Sequence, residues 1–141
     1  SYSMDHTLAY IVLPMLRDLN DRKQGAPYVD PKDVPKELRP KKQTKKEQDE
    51  GHTDSTHFER WDWVLGEMIF AFESKVNDDW QENYEKGKLD VQWKKLENGM
   101  NEMIEGPKHT REYDWEGYTK YQERISNGFL LFGKYYEALW W

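Results

Sequence analysis

Apolar residues recur at helical spacing in three stretches of the chain. The first stretch runs from about Asp5, a candidate N-cap, to Leu19, and its apolar residues are Leu8, Ile11, Val12, Met15 and Leu19. Steps of three and four residues place these side chains on one face of an α-helix. Tyr10 and Leu13 lie on the other side, so we expect a helix that is packed nearly all round. Pro14 lacks a backbone donor and predicts a kink or a helix end nearby.

The second stretch, from about Asp54 to Val76, shows the clearest helical periodicity. Its main apolar stripe consists of Phe58, Trp61, Leu65, Met68, Ile69 and Phe72. Trp63 and Phe70 lie seven residues apart on the opposite face, where a helix with one buried side carries polar groups. The helix is therefore either central to the fold and packed on both sides, or it presents its second face to a partner. We favour the central position.

The third stretch, from about Asp114 to Leu139, predicts a long helix with Asp114 as its N-cap. Its apolar stripe consists of Tyr118, Tyr121, Ile125, Phe129, Phe132, Tyr136 and Leu139. Gly128 and Gly133 flank that stripe, although each costs roughly 1 kcal/mol relative to Ala in a helix interior. The close approach of another backbone would explain both glycines.

The first two helices are separated by a long polar connection over residues 20–53. It contains Pro27, Pro31, Pro35 and Pro40 and a basic run from Lys36 to Lys46. Its middle offers almost nothing to bury, so we expect a loop with at most a short helical turn at residues 35–38. A loop of this length in a compact domain is usually functional or disordered.

A change of period marks the region between the second and third helices. Val91 and Trp93 alternate with polar residues, a period of two that is typical of a strand. Asn98 and Gly99 form a strong turn signal. We therefore expect a small β-hairpin in which residues 108–113 pair with residues 91–96.

Together these elements predict a mainly α fold at the margin of the α+β class. Three main helices pack on aromatic stripes, with a small β-hairpin and a long polar loop. The 141 residues suit a single domain over residues 1–141. Hydrophobic residues reach only 36%, but aromatic residues reach 15% and each buried ring removes a large area from water. Cysteine is absent, so disulfides and thiolate metal sites are excluded.

The first candidate chemistry is a weak metal site at His52, Asp54 and His57. Histidine and aspartate are ligands for zinc and for non-haem iron, but the spacing matches no established metal motif. Asp54 and His57 also suit the first turn of a helix, as a cap and a solvated neighbour. Glu67 lies near the second apolar face, where a buried carboxyl can act as a general acid. We favour a solvated helix face for Glu67, because nothing in the sequence indicates that its carboxyl is buried.

No other motif indicates catalysis. The chain contains no nucleophile elbow, no phosphate-binding loop and no dinucleotide fingerprint. The sequence therefore favours a noncatalytic protein without a cofactor. No apolar run reaches the roughly 18 residues of a membrane span, so we predict no membrane partner.

The basic run is a weak candidate for nucleic-acid binding. The residues that would contact phosphates are Lys41, Lys42, Lys45 and Lys46. No aromatic residues are interleaved with them for base stacking. The whole chain carries a net charge of −6, which opposes nonspecific binding to nucleic acid. We expect a solvated loop instead.

Four aromatic residues are not accounted for by the predicted core. Trp63 and Phe70 lie on the second face of the second helix, and Trp140 and Trp141 end the chain. Tryptophan is enriched among the residues that dominate binding energies in protein interfaces. We therefore predict that these four residues bind a partner.

Several stretches together resemble a family of uncharacterised proteins encoded by tailed bacteriophages and marine viral metagenomes. They are SMDHTLA at 3–9, GAP at 25–27 with VP at 34–35, RWDWVL at 60–65, EMIFAFE at 67–73, NGF at 127–129 and FGKYY at 132–136. The resemblance covers nearly the whole chain and implies a viral origin and a location in the cytoplasm of the infected bacterium, or in the virion. Members of this family usually carry residues before the first stretch, so we expect a C-terminal part of a longer protein.

Three functions remain open at this point. The favoured one is a noncatalytic interaction domain, for host takeover or an accessory role, which binds a host or phage protein or a second copy of itself. The first alternative is a minor virion or assembly component. The second alternative is a metal-binding protein or enzyme that uses His52, Asp54 and His57.

Overall fold

The computed structural model of the chain describes residues 3–42, 45–51 and 53–140. Four α-helices and two small antiparallel sheets occur within these residues, which confirms the mainly helical fold with a small β part. The chain divides into two compact units. The first comprises the described residues of Ser1–Asn77 and Gln122–Trp141, and the second comprises Asp78–Tyr121. The hydropathy pattern, which predicts one domain over residues 1–141, gives no sign of this division.

Three long helices and one short helix account for the α structure. They are α1 (Met4–Arg22), α2 (Lys45–Asp49), α3 (His57–Val76) and α4 (Trp115–Lys134). Ser3, rather than Asp5, precedes α1, and the helix continues through Pro14. Asp114 caps α4 as expected, because its Oδ1 accepts a hydrogen bond from the Gly117 backbone N–H at 3.0 Å.

The core of the first unit forms around α3. Its main members are Ala9, Leu13, Leu16 and Leu19 from α1, Trp61, Val64, Leu65, Met68 and Phe72 from α3, and Leu131 and Tyr135 from the end of the chain. Trp63 and Ile69 are partly buried and pack against this cluster. α3 therefore has the central position that its apolar residues on two faces predict.

The buried line on α4 differs from the expected stripe. Ile125, Gly128 and Leu131 are buried on the helix, whereas the expected Phe129 is exposed. The cause is Gly128, which packs directly on α3. A Cβ atom there would lie 2.5 Å from both the Ala71 Cβ and the Glu67 carbonyl oxygen. α3 and α4 thus approach each other closely at Gly128, one residue before Phe129 of the predicted stripe.

The long connection contributes to the core, contrary to the expected loop with nothing to bury. Val29 and Val34 are both buried in the central cluster. Short 3₁₀ turns occur at Pro31–Asp33 and at Lys36–Leu38, and the second is the turn expected at residues 35–38. Isolated apolar residues between prolines show no periodicity, so the pattern could not reveal their burial.

Polar contacts with Tyr135 and Lys134 hold this connection in place. The Tyr135 hydroxyl donates to Asp33 Oδ2 at 2.6 Å and accepts from the Asp30 backbone N–H at 2.9 Å. The Lys134 ammonium lies 3.1 Å from Asp30 Oδ2 and 2.7 Å from Asp33 Oδ2. The segment that carries Val29 is therefore attached to the C-terminal end of the chain.

The second unit contains the sheets. A 3₁₀ helix at Asp78–Tyr84 precedes β1 (Glu85–Lys86), β2 (Val91–Lys95), β3 (Asn101–Glu105) and β4 (Glu112–Tyr113). The turn at Gly99, which has φ of 83°, connects β2 to β3. The hairpin is confirmed, but its expected second strand is wrong, because β2 pairs with β3 while β4 pairs with β1. No helix in the described part of the chain is long and apolar enough to cross a membrane.

Candidate functional site

α1 carries an apolar stripe that faces away from the core. Its members are Met4, Leu8, Ile11 and Met15. Their side chains are between 41% and 60% exposed. The steps of four, three and four residues are those of the seam along which two helices pair. α1 is therefore apolar on two sides, as the sequence predicted, but only one side is covered by its own chain.

Next to this stripe, two apolar cavities lie along α1 on the side of the C-terminal half of α4, and we refer to them together as the groove. A cavity of about 310 Å³ occupies one part and is lined by Val12, Met15, Leu16, Leu19, Phe132, Tyr136 and Leu139. A second cavity of about 260 Å³ is lined by Asp5, Leu8, Phe72, Lys75 and Phe129. Apart from Asp5 and Lys75, the lining side chains are aliphatic, methionine and aromatic, and methionine and aromatic residues are enriched in interface cores.

The order of the lining residues gives the length of the groove. Leu8 lies in one cavity and Met15 in the other, seven residues further along α1. Seven residues of α-helix span about 10 Å. The two cavities are thus about two helical turns apart.

Charged groups near the groove are neutralised within the chain. Asp5 forms an ion pair with Lys75, and the hydrogen bond from that ammonium holds the pKa of the Asp5 carboxyl well below its usual range. At the other end of α1, Arg22 Nε lies 2.9 Å from Asp18 Oδ1. An apolar partner can cover this surface without leaving either acid unpaired.

Two of the four predicted partner-binding residues are partly buried within the chain. Trp63 packs against the core, and the Arg124 guanidinium lies 3.6 Å from the centre of the Phe70 ring. Arg124 also donates two hydrogen bonds to the Glu67 carboxylate, at 3.0 and 2.7 Å. Both residues are thus partly buried by their own chain, and their role as partner-binding residues stays a prediction. Glu67 is held in this ion pair as a link between the helices.

Trp140 remains at the surface, with 75% of its area exposed. It borders a cavity of about 300 Å³ together with Lys23, Gln24, Gly25, Ala26, Pro27, Trp61 and Ala138. The Lys23 ammonium is bound by Asn20 and lies 2.8 Å from Asp62 Oδ1. Trp141 lies outside the described residues. The prediction for Trp140 as a binding residue therefore stays open.

The proposed metal ligands have other partners where the structure describes them. Arg60 holds both oxygens of Asp54 at 2.7 Å and keeps the pKa of that carboxyl well below its usual range. His57 Nε2 lies 3.3 Å from the Ala26 carbonyl oxygen. His52 lies outside the described residues. Among those described, no three His, Cys, Asp or Glu side chains form a group that could hold a metal.

The lysine candidates for nucleic-acid binding lie on the surface. Lys41 and Lys42 follow the second 3₁₀ turn, and Lys45 and Lys46 lie in α2. All four side chains are exposed. This placement fits the solvated segment that the sequence predicts.

The groove was missed because its residues were assigned to core stripes. Leu8 and Met15 were placed in the buried line of the first helix, and Phe129, Phe132 and Tyr136 in that of the last helix. The signal that could have found it is the apolar character of α1 on two sides. One side packs on α3, and no predicted element was left to cover the other.

Comparison with known proteins adds no relative to this picture. No protein-family model, curated protein or solved structure matches the chain. The resemblance to bacteriophage proteins therefore stays a prediction.

Proposed function

We propose that this chain is a noncatalytic protein-interaction domain whose binding surface is the groove between α1 and α4. The observation that carries the proposal is the open pair of apolar cavities beside the exposed stripe on α1. Apolar surface of this continuity marks sites of association. Interface cores are likewise rich in methionine and aromatic residues and poor in charge.

The dimensions favour an amphipathic helix as the occupant. A docking helix presents apolar residues at i, i+3, i+4 and i+7, and the first and last of these are about 10 Å apart. Leu8 and Met15 mark two cavities at the same separation. The groove walls are themselves helical, so their backbone groups are already bonded within each helix and offer no edge to an added strand.

The viral resemblance adds an expected setting. With that resemblance as a further premise, the partner is a host or phage protein in the cytoplasm of the infected bacterium, or a component of the particle. The groove supports binding in either setting, because its chemistry depends only on an apolar helical partner.

The proposal is tested with a fluorescein-labelled amphipathic peptide that carries leucine at i, i+3, i+4 and i+7. Its binding is measured by fluorescence anisotropy against the wild type, Met15→Glu and Tyr10→Glu. Met15 lines the groove, whereas Tyr10 is 63% exposed on the same helix and lies outside it. We expect Met15→Glu to weaken binding by at least about tenfold, or about 1.4 kcal/mol. Tyr10→Glu should bind like the wild type.

Two results would overturn the proposal. One is the absence of saturable binding by the wild type and by Ile11→Glu, a variant that keeps every lining residue of the groove. The other is equal weakening by Met15→Glu and Tyr10→Glu, which would show that the peptide binds elsewhere. A peptide of the same composition with scattered leucines controls for nonspecific adsorption.

A further inference from the structure

We infer that the chain has a second binding site, which takes an extended peptide segment of a partner protein. One large apolar side chain of that peptide enters the cavity lined by Trp61 and Trp140, and the peptide main chain bonds to Gly25. The cavity is the one of about 300 Å³ that Trp140 borders. It shares no lining residue with the groove, so the inference goes beyond the proposed function.

The lining of this cavity is mainly apolar and aromatic. Trp61 is buried and packs edge-on against Tyr135, with ring centroids 5.9 Å apart, so its ring is a fixed surface. Trp140 is exposed, and its backbone N–H donates to the Ala138 carbonyl oxygen at 3.0 Å, which holds the chain where this ring projects. Tryptophan rings of this kind are frequent anchors for an apolar group of a partner.

Lys23, the cationic residue of the lining, is already occupied. Its ammonium lies 2.8 Å from the Asn20 carbonyl oxygen, 2.9 Å from Asn20 Oδ1 and 2.8 Å from Asp62 Oδ1. An ammonium has three donors, so none is left for an anionic ligand. The volume also lies at the lower end of the roughly 300–1,000 Å³ of small-molecule pockets. The cavity therefore suits one neutral side chain better than an anion or a large cofactor.

The main chain beside the cavity favours a peptide over a free small molecule. Residues 23–30 are all described and form no helix, strand, turn or bend, so this segment runs extended. Within the described residues, the backbone N–H groups of Gln24, Gly25 and Ala26 have no hydrogen-bond partner, and neither has the Gly25 carbonyl oxygen. A Cβ atom at Gly25 would meet nothing within 4 Å, so a second main chain can approach it. An extended peptide supplies the matching donors and acceptors, as in strand addition.

The test is fluorescence anisotropy with a labelled peptide of the sequence Thr-Val-Thr-Trp-Thr-Val-Thr, whose β-branched residues favour an extended chain. One matched peptide has alanine in place of tryptophan, and another has N-methyl groups on its central amides. We expect saturable binding of the first peptide. The alanine peptide should bind at least about tenfold more weakly. The N-methylated peptide should bind roughly threefold to tenfold more weakly, because it lacks main-chain donors.

Variants of the full chain locate the bound peptide. Trp140→Ala should weaken binding by at least about tenfold. Gly25→Pro removes one backbone N–H and should weaken it roughly threefold to tenfold. Trp115→Ala is the matched control, because Trp115 is an exposed tryptophan of the other unit, and it should bind like the wild type. Met15→Glu, which alters the groove, should also bind like the wild type. Far-UV circular dichroism confirms that each variant is folded.

Four results would overturn the inference. They are the absence of saturable binding by the wild type, equal binding of the tryptophan and alanine peptides, a Trp140→Ala variant that binds like the wild type, and binding that is unchanged by both N-methylation and Gly25→Pro. Loss of binding in Met15→Glu with no loss in Trp140→Ala would place the peptide in the groove instead. The second site would then be rejected while the proposed function stands.

Discussion

The two compact units of the chain bury their side chains to very different extents. The first unit contains a continuous cluster from α1, α3, the long connection and the end of α4. Residues 78–121 are all described, and Trp80 is the one buried residue among them. The rings of Tyr118 and Tyr121 stack on Trp80, with centroids 5.2 and 4.5 Å away. The first unit thus has a core of many buried side chains, whereas the second packs around the single buried ring of Trp80.

The hairpin of the second unit makes the contrast clearer. Trp93 on β2 is paired with Met103 on β3, and both side chains are exposed. A two-stranded hairpin without a buried face is marginal in water. We therefore expect residues 78–121 to open locally at a lower free energy than α1 and α3. Substitutions in each unit test this difference.

The largest effect is expected at the single buried ring of the second unit. Trp80→Ala removes the stacked partner of two tyrosines and should cost about 3–5 kcal/mol. Hydrogen exchange should show lost amide protection over residues 78–121, while α1 and α3 stay protected. Trp115→Ala is the matched control, because Trp115 is 64% exposed and its loss should change stability by less than about 1 kcal/mol. Equal loss of protection in α1 would contradict separate opening of the units.

Two of the glycines in α4, Gly128 and Gly133, should respond in opposite directions to substitution by alanine. Gly128→Ala forces a methyl group against α3 and should lower the free energy of unfolding by about 1–3 kcal/mol. At Gly133 no atom lies within 4 Å of the added Cβ, so Gly133→Ala should raise it by up to about 1 kcal/mol. Urea denaturation followed by circular dichroism measures both. A neutral Gly128→Ala would show that the helices are not in close contact there.

The smallest effect concerns alkaline pH and Tyr135. Burial, with the hydrogen bond to Asp33, raises the pKa of Tyr135 from 10.0 to about 12. Because the folded pKa is the higher one, this stabilisation is complete below pH 10 and is lost as the pH rises towards 12. The loss amounts to about 1–2 kcal/mol. The unfolding free energy of the wild type should fall over this interval by that much more than that of Tyr135→Phe, and parallel curves would contradict it.

The sequence predicts the helices well because their burial is periodic. The line from Trp61 to Phe72 was identified on α3 because every member packs in the core or against it. The sequence predicts the start of α3 at about Asp54, whereas the helix begins at His57. Asp54 lies in the turn before the helix, and its carboxylate accepts a hydrogen bond from Arg60 within the helix. A polar contact between residues six positions apart does not affect the spacing of apolar residues, so the hydropathy pattern could not reveal it.

The sequence could not predict the features in which apolar side chains do not mark a single buried face. β3 runs from Asn101 to Glu105 with every side chain exposed, so nothing imposes alternation on it. On α4, Gly128 makes the closest contact although it has no side chain to mark the buried face. Phe129, the next residue, is only partly covered: its ring lies 5.0 Å from that of Phe72 on α3 and borders the cavity that Leu8 of α1 also lines.

The two walls of the groove come from distant parts of the chain. Its lining comes from residues 5–19 and from residues 129–139, with Phe72 and Lys75 of α3 between them in sequence. During synthesis α1 leaves the ribosome long before its opposite wall exists, with both of its apolar sides uncovered. A chain that ends before residue 129 therefore exposes α1 and lacks the residues that line the other side of the groove. Both sides of the groove therefore exist only after translation has passed Leu139.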